Sequence, residues 1–272
     1  MQTPESSQVT PPAPVPNASC NLKYYSGKVI QNVVVYAVNW GPNVNATVKN
    51  NIGGFYSAVT ASAYFDWLSE YNTVGATVQG GGTSSNQGIA RGTFGGSYTI
   101  TPSTNATTIT DAQIQAELAA QISAGHLAAP NANTYYAVFF PKGKSISQGG
   151  SNSCVSGGFC AYHGTVAGSS STWMYGVHPD NSAGSGCDVG CGGSTPFNNM
   201  SSVASHEMIE TVTDPDVGLA TTYASPLAWY NRTYGEIGDI CNAQQGSIVG
   251  TDGVTYTVQK EWSNSQSICR LQ

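Results

Sequence analysis

The chain has 272 residues, a net charge of −6 and only 9 % charged side chains, against roughly 25 % in an average soluble protein. Its nine Lys and Arg are scattered, with no basic patch to meet a phosphate backbone, which argues against nucleic acid as a partner. No apolar run approaches about 18 residues, so no membrane span is expected.

The apolar fraction of 40 % fits one globular core, and Gly, Ser, Thr and Asn supply the polarity that charges usually give. That composition suits an exported protein. Residues 1–25, opening MQTPESSQVTPPAPVPNAS, read as a disordered Pro/Ser-rich tail, the start of a mature or trimmed chain with Met1 added. Residues 26–272 read as a single α+β domain.

In chain order, VIQNVVVYAVNW (29–40) is a β-branched core strand. From Asn45, a capping residue, apolar side chains recur at Val48, Ile52, Phe55, Tyr56 and Val59 and continue to Trp67 and Leu68. This spacing predicts one long helix that runs through Gly53 and Gly54. Two short strands are expected near ATVQG and GSYTI. DAQIQAELAAQISAG predicts a helix capped by Asp111 and stopped at Gly125. YYAVFFP (135–141) is a second buried strand. The Gly/Ser-rich stretch 142–198 carries FCAYHG and an expected edge strand, STWMYGVHP. NNMSSVASHEMIETVT is a third helix, ended by Asp214-Pro215; GEIGDIC and a hairpin-like GVTYTVQKEW follow.

Seven cysteines in Gly/Ser-rich loops point to an oxidising compartment, with three disulfides and one cysteine left over. Proximity pairs Cys154 with Cys160, Cys187 with Cys191 and Cys241 with Cys269, leaving Cys20. A C-x3-C zinc knuckle at 187–191 is the rival, though no second pair follows at structural-zinc spacing.

The chemistry concentrates in S-H-E-M-I-E-T-V-T-D-P. At about 100° per residue, Glu210 falls about 40° from His206 and Glu207 about 100° away, while Ala204, Met208, Ile209 and Val212 fall on the other side. His206 and Glu210 can therefore hold one ion between them, with Glu207 offset to reach a water on that ion. H-E-x-x-E alone is common on solvated helices. The context is not: six of the fifteen acids lie between residues 206 and 239, with Arg232 the one Lys or Arg there. Such a cluster needs a cation. Zinc held by His206 and Glu210 is expected, with Asp239 or Glu236 of GEIGD as third protein ligand and Glu207 as general base. His163 is a further donor or an alternative ligand, with Tyr230 and His178 behind it. Asp214 fits a turn former, and His126 a favourable charge at a helix C-terminus. A calcium site built from Asp214, Asp216, Glu236 and Asp239 is a rival or an addition.

ASHEMIETVTDP, the Trp229-Tyr230 pair, GEIGDIC and VQKEWSNSQSIC resemble a family of secreted bacterial and fungal zinc metallopeptidases. VVVYAVNWGPNVNATVKNNIGGFYSAVTASAYFDWL and GFCAYHG are similar to the plant EXORDIUM (phosphate-induced) family. The resemblance covers nearly all of the chain after residue 25. The plant members lack the His-Glu pair, so this chain sides with the peptidase branch. The resemblance implies a zincin-like fold, a twisted mixed sheet with a backing helix and an active-site helix. It implies a secreted monomer acting on protein or peptide substrates. The substrate would lie as an added strand along STWMYGVHP, contacting Trp173 and Tyr175, with Tyr230 nearby.

Overall fold

The computed structural model describes residues 18–168 and 172–272. Most of the expected tail, residues 1–17, lies outside the described residues. Its last part is folded: β1 (Lys23–Tyr24) pairs antiparallel with a strand at Trp229–Tyr230, and Leu22 and Tyr24 are buried.

The elements that frame the molecule follow in order. β2 (Val34–Asn39) leads into α1 (Ala46–Thr60) and the short α2 (Ala63–Asp66). β3 (Thr93–Thr99), β4 (Thr108–Thr110), α3 (Asp111–Ser123) and β5 (Thr134–Phe139) come next. β6 (Ser145–Gln148) and β7 (Ser151–Asn152) precede β8 (Tyr162–Ala167) and β9 (Thr172–His178). The long α4 (Pro196–Thr213) is followed by β10 (Trp229–Tyr230), β11 (Gln245–Val249), β12 (Thr255–Gln259), β13 (Glu261–Ser263) and β14 (Ile268–Arg270).

The central sheet has the order β3-β2-β5-β9-β8; all its neighbours pair parallel except β8, which runs antiparallel to β9. Helices cover both faces, so β5 is buried along its whole length, as parallel strands require. Alternate residues divide between two cores. Tyr135, Ala137, Phe139 and Met174 face α1 and α4, while Tyr136, Val138, Trp173, Tyr175 and Val177 face Ile114 and Leu118 of α3.

Several expectations are corrected. The predicted long helix stops at Thr60; Ser62 opens a new turn and Trp67–Tyr71 is 3-10 helix. Gly53 and Gly54 do stay inside α1, because a Cβ there would meet Phe94 Cε1 at 2.8 Å and the Tyr256 hydroxyl at 2.7 Å. The cap of α3 is Thr110 in a capping box with Gln113, not Asp111. Asp111 instead accepts hydrogen bonds from the Tyr162 and Tyr175 hydroxyls at 2.7 and 2.6 Å. ATVQG forms only one bridge, Val78 with Tyr24. The partner of β12 is the upstream β11.

The edge assignment also changes. Thr172–His178 of STWMYGVHP form β9, which lies between β5 and β8 and is buried at every position after Thr172; Ser171 lies outside the described residues. The edge strand beside it is β8, from FCAYHG. The 3-10 turn Val217–Leu219 packs against β8, and the Thr165 hydroxyl donates to the Pro215 carbonyl.

Two of the three expected disulfides are re-paired. The bonds are Cys154–Cys187, Cys160–Cys191 and, as expected, Cys241–Cys269; Cys20 is free and buried. The first two tie the loop before β8 to the loop before α4 at two points, joining residues 33 and 31 apart instead of closing tight local rings. They use all four cysteines, so no knuckle exists at 187–191. Three disulfides place the protein in an oxidising environment. No helix among the described residues is long and apolar enough to cross a membrane.

Candidate metal centre

Thr195 caps α4 by accepting from Asn198 N, and Pro196 occupies the first turn, where its missing N–H costs nothing. At the other end Asp214 leaves helical geometry and Pro215 follows, so the helix stops there. From Asn199 onward only Val203 escapes full burial. The polar face is therefore as enclosed as the apolar one, packed against β8, β12 and the GEIGD turn.

That enclosed face gathers ligand atoms. His206 Nε2 lies 3.1 Å from Glu210 Oε1 and 3.9 Å from Asp239 Oδ1. In a tetrahedral zinc shell with bonds of about 2.0–2.1 Å, neighbouring ligand atoms are separated by roughly 3.3 Å. The observed separations bracket that value. His206, Glu210 and Asp239 form one group with ligand atoms all within 4.8 Å; His163, Glu207 and Glu210 form another. Glu236 belongs to neither. Its Oε2 lies 3.1 Å from His163 Nε2, which in turn lies 3.6 Å from Glu210 Oε2. Of the three candidates for third ligand, Asp239 groups with His206 and Glu210, His163 groups with Glu207 and Glu210, and Glu236 joins neither group.

The two glycines of GEIGD make this approach possible. A Cβ on Gly238 would stand 2.6 Å from His206 Nδ1 and 2.9 Å from Glu210 Oε1. Gly235 has φ +85°, and a Cβ there would strike the Asp239 carboxylate. The turn is tied to the helix by Asp239 N, which donates to Glu210 Oε1 at 3.1 Å. Gln259 of β12 completes the frame. Its amide lies 2.7 Å from His206 Nδ1 and donates to the Gly238 carbonyl at 2.9 Å, fixing the imidazole plane. Sequence reasoning missed Gln259; the signal was a polar residue ending the alternating run TYTVQ.

The electrostatics are those of carboxylates crowded together out of water. Burial, then the charge of Glu210, pushes Glu207 up to about 8 and Asp239 up to about 7. The same two causes hold Glu236 well above the carboxylate range. For His206 burial opposes the charged ring, but Glu210, Glu207 and Asp239 outweigh it and raise its pKa. Glu207 Oε2, Glu236 Oε1 and His163 Nδ1 are buried without a hydrogen-bond partner. Acids in this condition either take up protons or share a cation. The donor set of one imidazole and two carboxylates fits zinc.

A narrow cleft of about 80 Å³ reaches this centre from outside. Its walls include Ser202 and Val203 of α4, the Cys160–Cys191 bridge, and Asn242, Ala243 and Gln245; His206 and Glu207 are the ionisable residues that line it. Glu207 and one member of the triad, His206, thus both border the cleft.

His163 is 2 % exposed and does not line the cleft, but with Glu207 and Glu210 it keeps its expected place as an alternative ligand. Other predicted site residues fall elsewhere. Trp173 and Tyr175 point to the α3 side of the sheet, the opposite face from α4, because alternation along β9 sends Met174 to the metal side instead. Tyr230 packs with Tyr25 and Tyr223; burial, then the charges of Glu236 and Asp239, raises its hydroxyl pKa. His178 is buried against the Phe139 ring, 3.2 Å from the Val138 carbonyl, and burial lowers its pKa to about 4. His126 pairs with Gln121 just past the end of α3. The four acids of the expected calcium site do not converge: Asp216 pairs with Lys28 at 3.1 Å, and Asp214 accepts from Ala228 N at 2.8 Å.

Compared with models of known protein families, with curated proteins and with solved structures, the chain matches none.

Proposed function

We propose that this chain is a secreted zinc-dependent endopeptidase with a zincin-like plan. The observation that carries the proposal is the His206–Glu210–Asp239 triad, with Glu207, whose Oε2 has no hydrogen-bond partner, and His206 both bordering a cleft. The sheet arrangement supports it: an antiparallel edge strand borders the parallel strands, with the ligand-bearing helix packed beneath.

Zinc bound here would supply a Lewis acid and lower the pKa of a coordinated water towards neutrality. His206, Glu210 and Asp239 would hold the ion. Glu207, at the cleft wall, takes the proton from the attacking water and delivers it to the leaving nitrogen. Without a metal, burial and the neighbouring Glu210 raise the pKa of Glu207 to about 8; a cation beside it would lower that value and free the carboxylate to accept the proton. Glu236 and His163 orient Glu210 from behind, the outer-shell role that fixes ligand geometry. A peptide enters between α4 and the Cys160–Cys191 bridge. The wall offers Gly190, Gly192, Ala161, Val203 and Ala243, which admit small uncharged side chains.

The test is metal analysis of the purified protein together with a casein digest, on wild type and Glu207→Ala. The wild type is expected to hold one zinc per chain and cut casein; Glu207→Ala is expected to hold zinc and cut nothing. A wild type without zinc or cleavage overturns the proposal.

A further inference from the structure

Two groups of ligand atoms share one carboxylate. Glu210 is common to His206–Glu210–Asp239 and to His163–Glu207–Glu210, and in each group the ligand atoms lie within 4.8 Å of one another. Its two oxygens point different ways. Oε1 lies 3.1 Å from His206 Nε2, and Oε2 lies 3.6 Å from His163 Nε2. The two histidines therefore do not compete for one oxygen, and Glu210 can serve both groups at once.

The second group is built from α4 and β8. Glu207 and Glu210 are three residues apart on α4, a spacing that puts side chains on one helix face. His163 comes from the edge strand, opposite Gly176. Its 3.6 Å separation from Glu210 is near the roughly 3.3 Å expected between neighbouring ligands of a tetrahedral zinc shell. Glu236 Oε2 flanks the same nitrogen at 3.1 Å.

Two observations point to an ion here. Glu207 is 1 % exposed, its Oε2 has no hydrogen-bond partner, and the residue borders the cleft, which gives an ion a way in. A carboxylate oxygen left so at that depth is costly. The second observation is charge. Glu207, Glu210 and Glu236 are buried with Asp239 around two histidines. One dication in the triad leaves two of these four negative charges uncompensated, and a second dication balances them.

We propose that His163, Glu207 and Glu210 form a second zinc site, bridged to the first by Glu210, which fills only when zinc exceeds one ion per chain and switches cleavage off. The triad fills first because its imidazole is framed. Gln259 lies 2.7 Å from His206 Nδ1, whereas His163 Nδ1 has no partner, and such a bond is worth about 10–100-fold in metal affinity. The switch rests on the peptidase reading: Glu207 is the proposed base, and a carboxylate engaged as a ligand does not take a proton from water. The second site itself rests on the geometry alone.

The experiment is a zinc titration of the intact, chelator-stripped protein, counting bound zinc by equilibrium dialysis and following casein cleavage at each step. Two zinc ions per chain are expected, the second at least about tenfold weaker. Cleavage is expected to rise to one equivalent and then to fall at least about 100-fold, the loss of a general base. His163→Gln and Glu207→Gln remove a ligand with little change in volume. Each is expected to hold one zinc, which also reports an intact fold, and the cleavage His163→Gln shows at one zinc is expected not to fall with more. His126→Ala, at an exposed histidine outside the centre, is expected to keep two. A wild type that cuts with one zinc and takes no second, a second zinc retained by both Gln variants, or cleavage that holds while the second site fills overturns this inference and leaves the peptidase reading standing. A protein that binds no zinc overturns both. Two zinc ions, the second lost in both Gln variants, with no cleavage at any ratio overturn the peptidase reading and the switch and leave the second site.

Discussion

Replacing the two acids of GEIGD one at a time separates ligand from support. Asp239 Oδ1 lies 3.9 Å from His206 Nε2 within the triad, whereas Glu236 reaches the centre only through His163, by contacts of 3.1 and 3.6 Å. Asp239→Asn keeps an oxygen to accept the Glu236 N–H, now 3.0 Å from Asp239 Oδ2, so the turn survives while a charged ligand is lost. Glu236→Gln keeps a partner for His163 and leaves all three ligands in place. Loss of an outer-shell partner costs about 10–100-fold in metal affinity, or about 1.4–2.7 kcal/mol. Removing a ligand carboxylate is expected to exceed about 100-fold, because the remaining imidazole and single carboxylate leave half the tetrahedron unfilled. Competition against a chromogenic chelator measures both constants. If Glu236→Gln weakens zinc more than Asp239→Asn does, Glu236 is the ligand and the assignment of roles is wrong.

Three further outcomes follow from the same geometry. In the metal-free protein the raised pKa values of Glu207 and Asp239, about 8 and about 7, give stability that is complete below the unfolded carboxylate range near pH 4 and is lost as pH rises through those values. Chelated protein is expected to melt lower at pH 8.5 than at pH 5.5, and added zinc to raise the melting temperature more at the higher pH; a chelated Tm that rises with pH counts against it. Gly238→Ala puts a methyl group 2.6 Å from His206 Nδ1 and 2.9 Å from Glu210 Oε1. It is expected to lose zinc and casein cleavage while far-ultraviolet circular dichroism stays native. The double substitution Cys160→Ser, Cys191→Ser opens a loop of 31 residues, worth about 3–4 kcal/mol by loop entropy. Because that bridge also walls the cleft, KM for peptides is expected to rise in denaturation-free conditions while zinc stays bound.

The parts of the centre that were legible in the sequence are those set by short-range geometry. A helical period of about 3.6 residues is enough to bring His206 and Glu210 together and to offset Glu207. The glycines at 235 and 238 mark a turn where another chain segment comes close, and both prove to make room for ligand atoms. What could not be read depended on partners far along the chain. Cys154 and Cys160 are six residues apart, but each bonds across to the loop before α4, and nothing local distinguishes that from a bond between them. β8 and β9 both carry buried apolar residues; the sheet order puts β8 at the edge, and its register, with His163 opposite Gly176, turns its histidine towards α4. The same register turns Trp173 and Tyr175 away: a strand has two faces, and composition does not say which one meets the metal. Gln259 was invisible for a related reason. One amide at the end of a strand acquires meaning only when β12 packs along α4 and places it 2.7 Å from His206. The helix therefore brings together His206, Glu207 and Glu210, two proposed ligands and a proposed base, by itself, while Asp239, the frame of the imidazole and the wall of the cleft all come from contacts spanning 29 or more residues, which is where substitutions are expected to remove the proposed chemistry and leave the fold.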